Sequence, residues 1–190
     1  MSLTPSNMIP LGTLAPDFSL PDVVSGHTLS LQQLKGASAT LVMFLSNHCP
    51  YVKHINQGLV QLANDYLSKG IGFVAISAND VKSHPADAPE KMKELAIEMK
   101  YPFAYLYDET QRVAKAYDAA CTPDFYVFDK DLKLVYRGQF DDARPSNQVP
   151  VTGKDMREAF ENILAGKEVS PYQRPGIGCN IKWKHEMHDL

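Results

Sequence analysis

Two unbroken apolar runs, Leu41–Leu45 and Ile71–Ile76, flank one amphipathic stretch, and few folds accommodate that order. Runs without alternation predict strands buried on both faces, as in a parallel sheet. Between them, Val52, Ile55, Leu59, Leu62 and Tyr66 recur at the spacing of a helix burying one face. Pro50 suits the first helical position, where its missing N–H would have had no partner. Gly70 ends the segment. Strand, helix and strand then form a right-handed crossover unit, with Leu41–Leu45 in the middle of the sheet. Cys49 directly precedes Pro50 and falls at the helix N-cap. Unpaired backbone N–H groups and the helix dipole stabilise an anion there. Thiolate is the nucleophilic form of cysteine, so Cys49 is the leading catalytic candidate. The competing reading is a small buried residue packed under the helix start.

The remaining segments are shorter. Phe18–Leu20 and Thr28–Leu31 alternate around Gly26 and predict a hairpin against the main sheet. Residues 79–89 form a polar loop with two prolines, leading into a helix over about 90–99. Asp108 with Gln111 predicts the cap of another helix carrying Val113, Ala114 and Tyr117. Phe125–Phe128 and Lys133–Tyr136 predict an antiparallel hairpin, and Thr152-x-x-Asp155 opens a helix that Gly166 ends. Asp141, Asp142 and Arg144 read either as a local ion pair or as a solvated turn. The expected organisation is an arm over 1–11, one domain over 12–166 and an irregular wrapping tail over 167–190.

Composition narrows the classes. A net charge of −3 with mixed signs gives no case for nucleic acid or an anionic membrane surface. No apolar stretch approaches the length that spans a bilayer. The N-terminus shows no basic region followed by an apolar one, so a cytoplasmic location is expected. Three widely spaced cysteines do not make a disulfide scaffold and fit reactive thiols in a reduced compartment. Nothing resembles a nucleotide-binding glycine loop, so no organic cofactor is expected.

Three stretches carry a family resemblance. Ala15–Asp22 with Leu29–Gly36 resembles the opening of the alkyl hydroperoxide reductase/thiol-specific antioxidant (AhpC/TSA) superfamily. Cys49-Pro-Tyr-Val52 occupies the place of the thioredoxin Cys-x-x-Cys, and Cys121-Thr-Pro123 resembles the loop bearing the cis-proline of thioredoxin folds. Asn47–Lys53, Cys121–Phe125 and Gly178–Lys184 resemble the peroxiredoxin-like group within that superfamily. The resemblance implies an α/β, thioredoxin-like fold: a central mixed sheet flanked by helices, with an N-terminal hairpin extension. It further implies a thiol-disulfide oxidoreductase acting on protein or low-molecular-weight thiols and disulfides, with thioredoxin or glutathione as electron donor.

The departures matter too. Val52 replaces the second cysteine of the motif, and neither register places the threonine and proline that accompany a peroxidatic cysteine. Peroxidase activity is therefore not implied. By the resemblance, Cys121 lies against the helix start and is the first choice to resolve Cys49, with Cys179 as second choice and third redox thiol. Pro123, expected to be cis, together with Thr122, His48 and Pro50, would shape the substrate groove. His48 reads either as a stabiliser of the thiolate or as a solvent-exposed loop residue. Two other classes stay open: a soft-metal (copper) site drawn from His48, Cys49, His54, Cys121 and Cys179, and a non-catalytic binding module using the cis-proline groove.

Overall fold

The structure, a computed structural model, describes residues 3–185. In chain order it contains β1 (Leu3–Pro5), β2 (Ser19–Pro21), β3 (Thr28–Ser30), α1 (Leu31–Leu34), β4 (Ala39–Phe44), α2 (Pro50–Tyr66), β5 (Ile71–Ser77), α3 (Pro89–Glu98), β6 (Ala104–Tyr107), α4 (Arg112–Ala116), β7 (Cys121–Thr122), β8 (Asp124–Asp129), β9 (Leu134–Tyr136), α5 (Lys154–Leu164) and β10 (Ile177–Asn180). The main sheet has the order β6-β5-β4-β8-β9. β4, β5 and β6 are parallel, whereas β8 and β9 are antiparallel additions. The expected mixed α/β sheet with Leu41–Leu45 at its centre is therefore present.

β4 explains itself from its sequence. Every residue is buried because both sheet faces are covered. Leu41 and Met43 pack with Leu59 of α2 and Phe160 of α5, while Val42 and Phe44 pack with Leu31, Ala114 and Tyr117 on the opposite face. α2 follows because Val52, Ile55, Leu59 and Leu62 fall on its buried side. Both edges of the main sheet are occupied. Asp22 bridges Leu106 of β6, and Leu14 bridges Lys133 beside β9. These contacts shield backbone groups that would otherwise be open to another chain.

Several local expectations are corrected. β6 had no counterpart in the sequence reading. α4 does begin after Gln111, but that side chain binds the carbonyls of Ala78 and Lys182 rather than capping the helix. Of the two, Asp108 makes the cap-like contact, its carboxylate accepting the Ala114 N–H. α5 starts after Gly153 in a left-handed conformation, and Asp141 accepts the Thr152 and Gly153 N–H groups. Arg144 donates to the carbonyls of Asp141 and Ala143 and to Gln139 Oε1, so carbonyl and amide contacts order this loop.

The tail is the largest correction. It contains β10, the middle strand of a second sheet ordered β1-β10-β7. Cys179 is thereby aligned with Leu3 on one side and with Thr122 on the other. Residues 186–190 of the expected wrapping tail lie outside the described region.

Candidate active site

Cys49 is the N-cap residue of α2, in extended conformation, with Pro50 opening the helix as expected. Its side chain makes no capping bond. Instead Sγ points to the second sheet, 3.2 Å from the Thr122 carbonyl oxygen and 2.7 Å from Cys179 Sγ. None of the three cysteines is in a disulfide, and all are buried. The sulfur separation is far closer than an ordinary non-bonded contact, yet longer than the roughly 2.05 Å of a disulfide bond.

The two candidate partner thiols are placed differently. Cys179 stands against Cys49, whereas Cys121 lies near Ser6 Oγ at 3.9 Å and the Pro123 carbonyl at 3.6 Å. The physical reason is strand alternation. Cys121 and Thr122 are successive residues of β7, so their side chains take opposite faces. β10 supplies the sulfur that the helix start meets. Burial, reinforced by the charge of Asp124, pushes the Cys121 thiol far above its ordinary value, and this favours the neutral form. Cys179 is pushed up to about 12, first by burial and then by its hydrogen bond with Cys49 and the charge of Cys49. Lys182 and a bond from the Tyr51 backbone N–H act in the opposite sense. The first-turn amide expected to serve Cys49 is thus engaged with Cys179.

The loop before Cys49 is held by a residue the sequence reading missed. Asp87, in a short turn over Pro85–Asp87, is fully buried and accepts the Asn47 N–H at 2.7 Å and Asn79 Nδ2 at 2.9 Å. It also takes the His48 N–H at 3.3 Å and a short contact from His48 Nδ1. Burial opposes the Asp87 charge, but the bonds from His48 and Asn79 outweigh it and hold the carboxyl below its usual range. His48 is neither solvent-exposed nor loose: its ring stacks on His84 at 5.0 Å between centroids. Its Nε2 is buried without a hydrogen-bond partner. Within a segment legible only as polar and proline-bearing, nothing distinguished Asp87 from any other loop aspartate.

The Thr122–Pro123 peptide is cis. Thr122 is buried, with its hydroxyl 3.1 Å from Ser46 Oγ, so the cis-proline loop and the loop before α2 are tied together. Asp124 forms a fully buried ion pair with Arg137, and the guanidinium lies 3.9 Å over the Tyr126 ring. Asp124 also accepts Ser6 Oγ at 2.7 Å and the Ala120 N–H at 3.1 Å. This second missed pair fixes the backbone on both sides of Cys121 to Pro123. Among the described residues, no group of three or more His, Cys, Asp and Glu side chains is arranged to hold a metal ion.

The AhpC/TSA family model matches residues 11–137, well over half of the chain. The chain belongs to the AhpC/TSA family. It is similar over almost its entire length to an uncharacterized conserved protein of Geobacillus kaustophilus, at 58% identity, 97% coverage of both chains and a TM-score of 0.95. A hypothetical protein of Sinorhizobium meliloti matches at 49% identity, covering 95% of this chain and 98% of the other, with a TM-score of 0.93. The thioredoxin domain of a thiol-disulfide oxidoreductase from Bacteroides vulgatus matches at 20% identity, covering 79% and 98%, with a TM-score of 0.60. That likeness shows the thioredoxin-like fold of this AhpC/TSA protein. No curated protein matches the chain.

Proposed function

We propose that this AhpC/TSA protein is a thiol-disulfide oxidoreductase in which Cys49 attacks and Cys179 resolves. The observation that carries the reading is the 2.7 Å approach of the two sulfurs across 130 residues of chain. In the first step the Cys49 thiolate attacks one sulfur of a substrate disulfide. The substrate S–S bond breaks, a mixed disulfide forms on Cys49, and the departing thiolate takes up a proton. In the second step Cys179 attacks the Cys49 sulfur, the second substrate thiol leaves with the Cys179 proton, and a Cys49–Cys179 disulfide remains. Two electrons have passed to the substrate, and an external dithiol or glutathione restores them.

The coupling between the thiols supports this order. Two causes that raise Cys179 come from Cys49 itself. Both disappear once Cys49 is tied up in a mixed disulfide, which carries neither charge nor proton. Cys179 then ionises more readily at the moment it is needed, with Lys182 and the Tyr51 N–H stabilising its charge. His48 would steady the strand-to-helix loop through Asp87, and Thr122 and Pro123 would hold the backbone that Cys49 faces. Peroxide is expected to be a poor oxidant, because the residues that accompany a peroxidatic cysteine are missing.

The test is peptide mapping by mass spectrometry after mild oxidation and alkylation of the remaining thiols. The expected product is a Cys49–Cys179 link that Cys179→Ser abolishes and Cys121→Ser leaves intact. A Cys49–Cys121 link, or three alkylated thiols, would refute the assignment.

A further inference from the structure

Strand β10 does more than carry Cys179: it lies along β7, beside the Thr122 carbonyl that the Cys49 sulfur faces. Cys49 has no exposed surface, and only 3% of Cys179 is exposed. The strand cannot approach more closely. A Cβ added at Gly178 would stand 2.0 Å from the Thr122 carbonyl oxygen and 3.1 Å from the Pro123 nitrogen. Only a residue without a side chain lets β10 lie flat on the cis-proline peptide.

The strand is also anchored beyond its own ladder. Ile181 donates its N–H to the Ala120 carbonyl at 3.1 Å. Lys182 donates its N–H to Asn79 Oδ1 at 2.8 Å, and its carbonyl accepts the Asp80 N–H at 2.8 Å and Gln111 Nε2 at 2.9 Å. Gln111 accepts the Lys184 N–H as well, at 2.9 Å. None of these bonds involves the Cys179 side chain, so its rotation leaves the strand anchored. Opening a path to Cys49 wide enough for a disulfide carried on two stretches of protein main chain breaks most of them together.

Resting on the exchange reading above, we propose that β10 confines Cys49 to low-molecular-weight disulfides and excludes disulfides held in proteins. The chemistry is unchanged. One small disulfide, R–S–S–R, and the two protein thiols yield two R–SH and the Cys49–Cys179 bond, both protons passing to the released thiols. What the strand adds is selection by size, imposed before any bond is exchanged.

The experiment compares bis(2-hydroxyethyl) disulfide with insulin, at equal disulfide concentration, as oxidants of the fully reduced protein. Released thiol and the Cys49–Cys179 link are both followed. The expected rate with the small disulfide exceeds that with insulin by at least a hundredfold. In Gly178→Val, where the added side chain cannot lie on the Thr122–Pro123 peptide, insulin should react at least tenfold faster than with the unaltered protein. Gln111→Asn, which shortens the arm holding Lys182 and Lys184, should shift the ratio the same way by a smaller factor, and it serves if Gly178→Val does not fold. Comparable rates with both oxidants in the unaltered protein would overturn the proposal. So would a folded variant with a loosened strand that gains nothing toward insulin, although the exchange reading would then stand. Failure of the unaltered protein to react with either oxidant would bring down the exchange reading, and the size selection with it.

Discussion

Asp87 gathers four donors on its carboxylate and holds the segment that delivers Cys49. Its carboxyl is held below the usual range, so the folded state keeps the charge where an unfolded chain has begun to take up a proton. That contribution to stability is complete above the ordinary aspartate value of about 3.9 and is lost as pH falls through the lower folded value. Replacing it with asparagine puts a donor where donors already converge. Asp87→Asn should therefore cost about 1–3 kcal/mol at neutral pH and flatten the acid limb of the stability curve. Urea titrations between pH 2.5 and 7 check both effects, and an unchanged acid limb would remove Asp87 as its source. The same residue shows a limit of reading one chain. Cys49 was legible because Pro50 and the helical period mark a helix start, a local property. Asp87 matters only because Pro85–Asp87 folds back on Asn47 and His48, some 40 positions earlier, and no local pattern records that.

At the scale of elements, the close pairing of two glycines shows how tightly the sheet is built. A Cβ at Gly72, inside β5, would meet Gly36 N at 2.5 Å and Leu34 O at 2.6 Å, both main-chain atoms that no rotamer change can move. Gly72→Ala should destabilise by about 1–3 kcal/mol through forced backbone displacement, and Gly36→Ala should act in the same direction. Thermal denaturation of each variant checks this, and a melting point equal to that of the parent would show that the turn after α1 yields freely. β4, α2 and β5 were readable because long apolar runs and a long helical period carry many concordant residues. β6, with four residues, and β1, β7 and β10, with two to four each, carry no such redundancy. Their ladders depend on partners far along the chain: Leu3 meets Cys179, and Asn180 meets Cys121. The preference for Cys121 over Cys179 followed the resemblance at the cis-proline loop, and the strand that places Cys179 beside Cys49 is too short to announce itself.

For the molecule as a whole, the Cys49–Cys179 bond would close a loop spanning most of the chain, 130 residues apart at its ends. Constraining the unfolded state to that extent stabilises the oxidised form by about 5 kcal/mol at most, before any strain is subtracted. For a chain of this size each kcal/mol moves the melting temperature by about 2–4 °C. The oxidised protein should therefore melt above the reduced one by up to about 10–20 °C. Calorimetry with and without dithiothreitol checks this, and Cys179→Ser should melt identically under both conditions. Equal melting points for the two forms of the parent would mean that native-state strain cancels the gain. The same 130-residue separation also orders events in time. A ribosome adding about 5–20 residues per second completes Cys49 and Cys121 on the order of 10 s before it reaches Cys179. An oxidant met in that interval can join Cys49 only to Cys121 or to another molecule. The proposed Cys49–Cys179 pairing is thus available only once β10 has been made, and its yield depends on how well the growing chain is kept reduced until then.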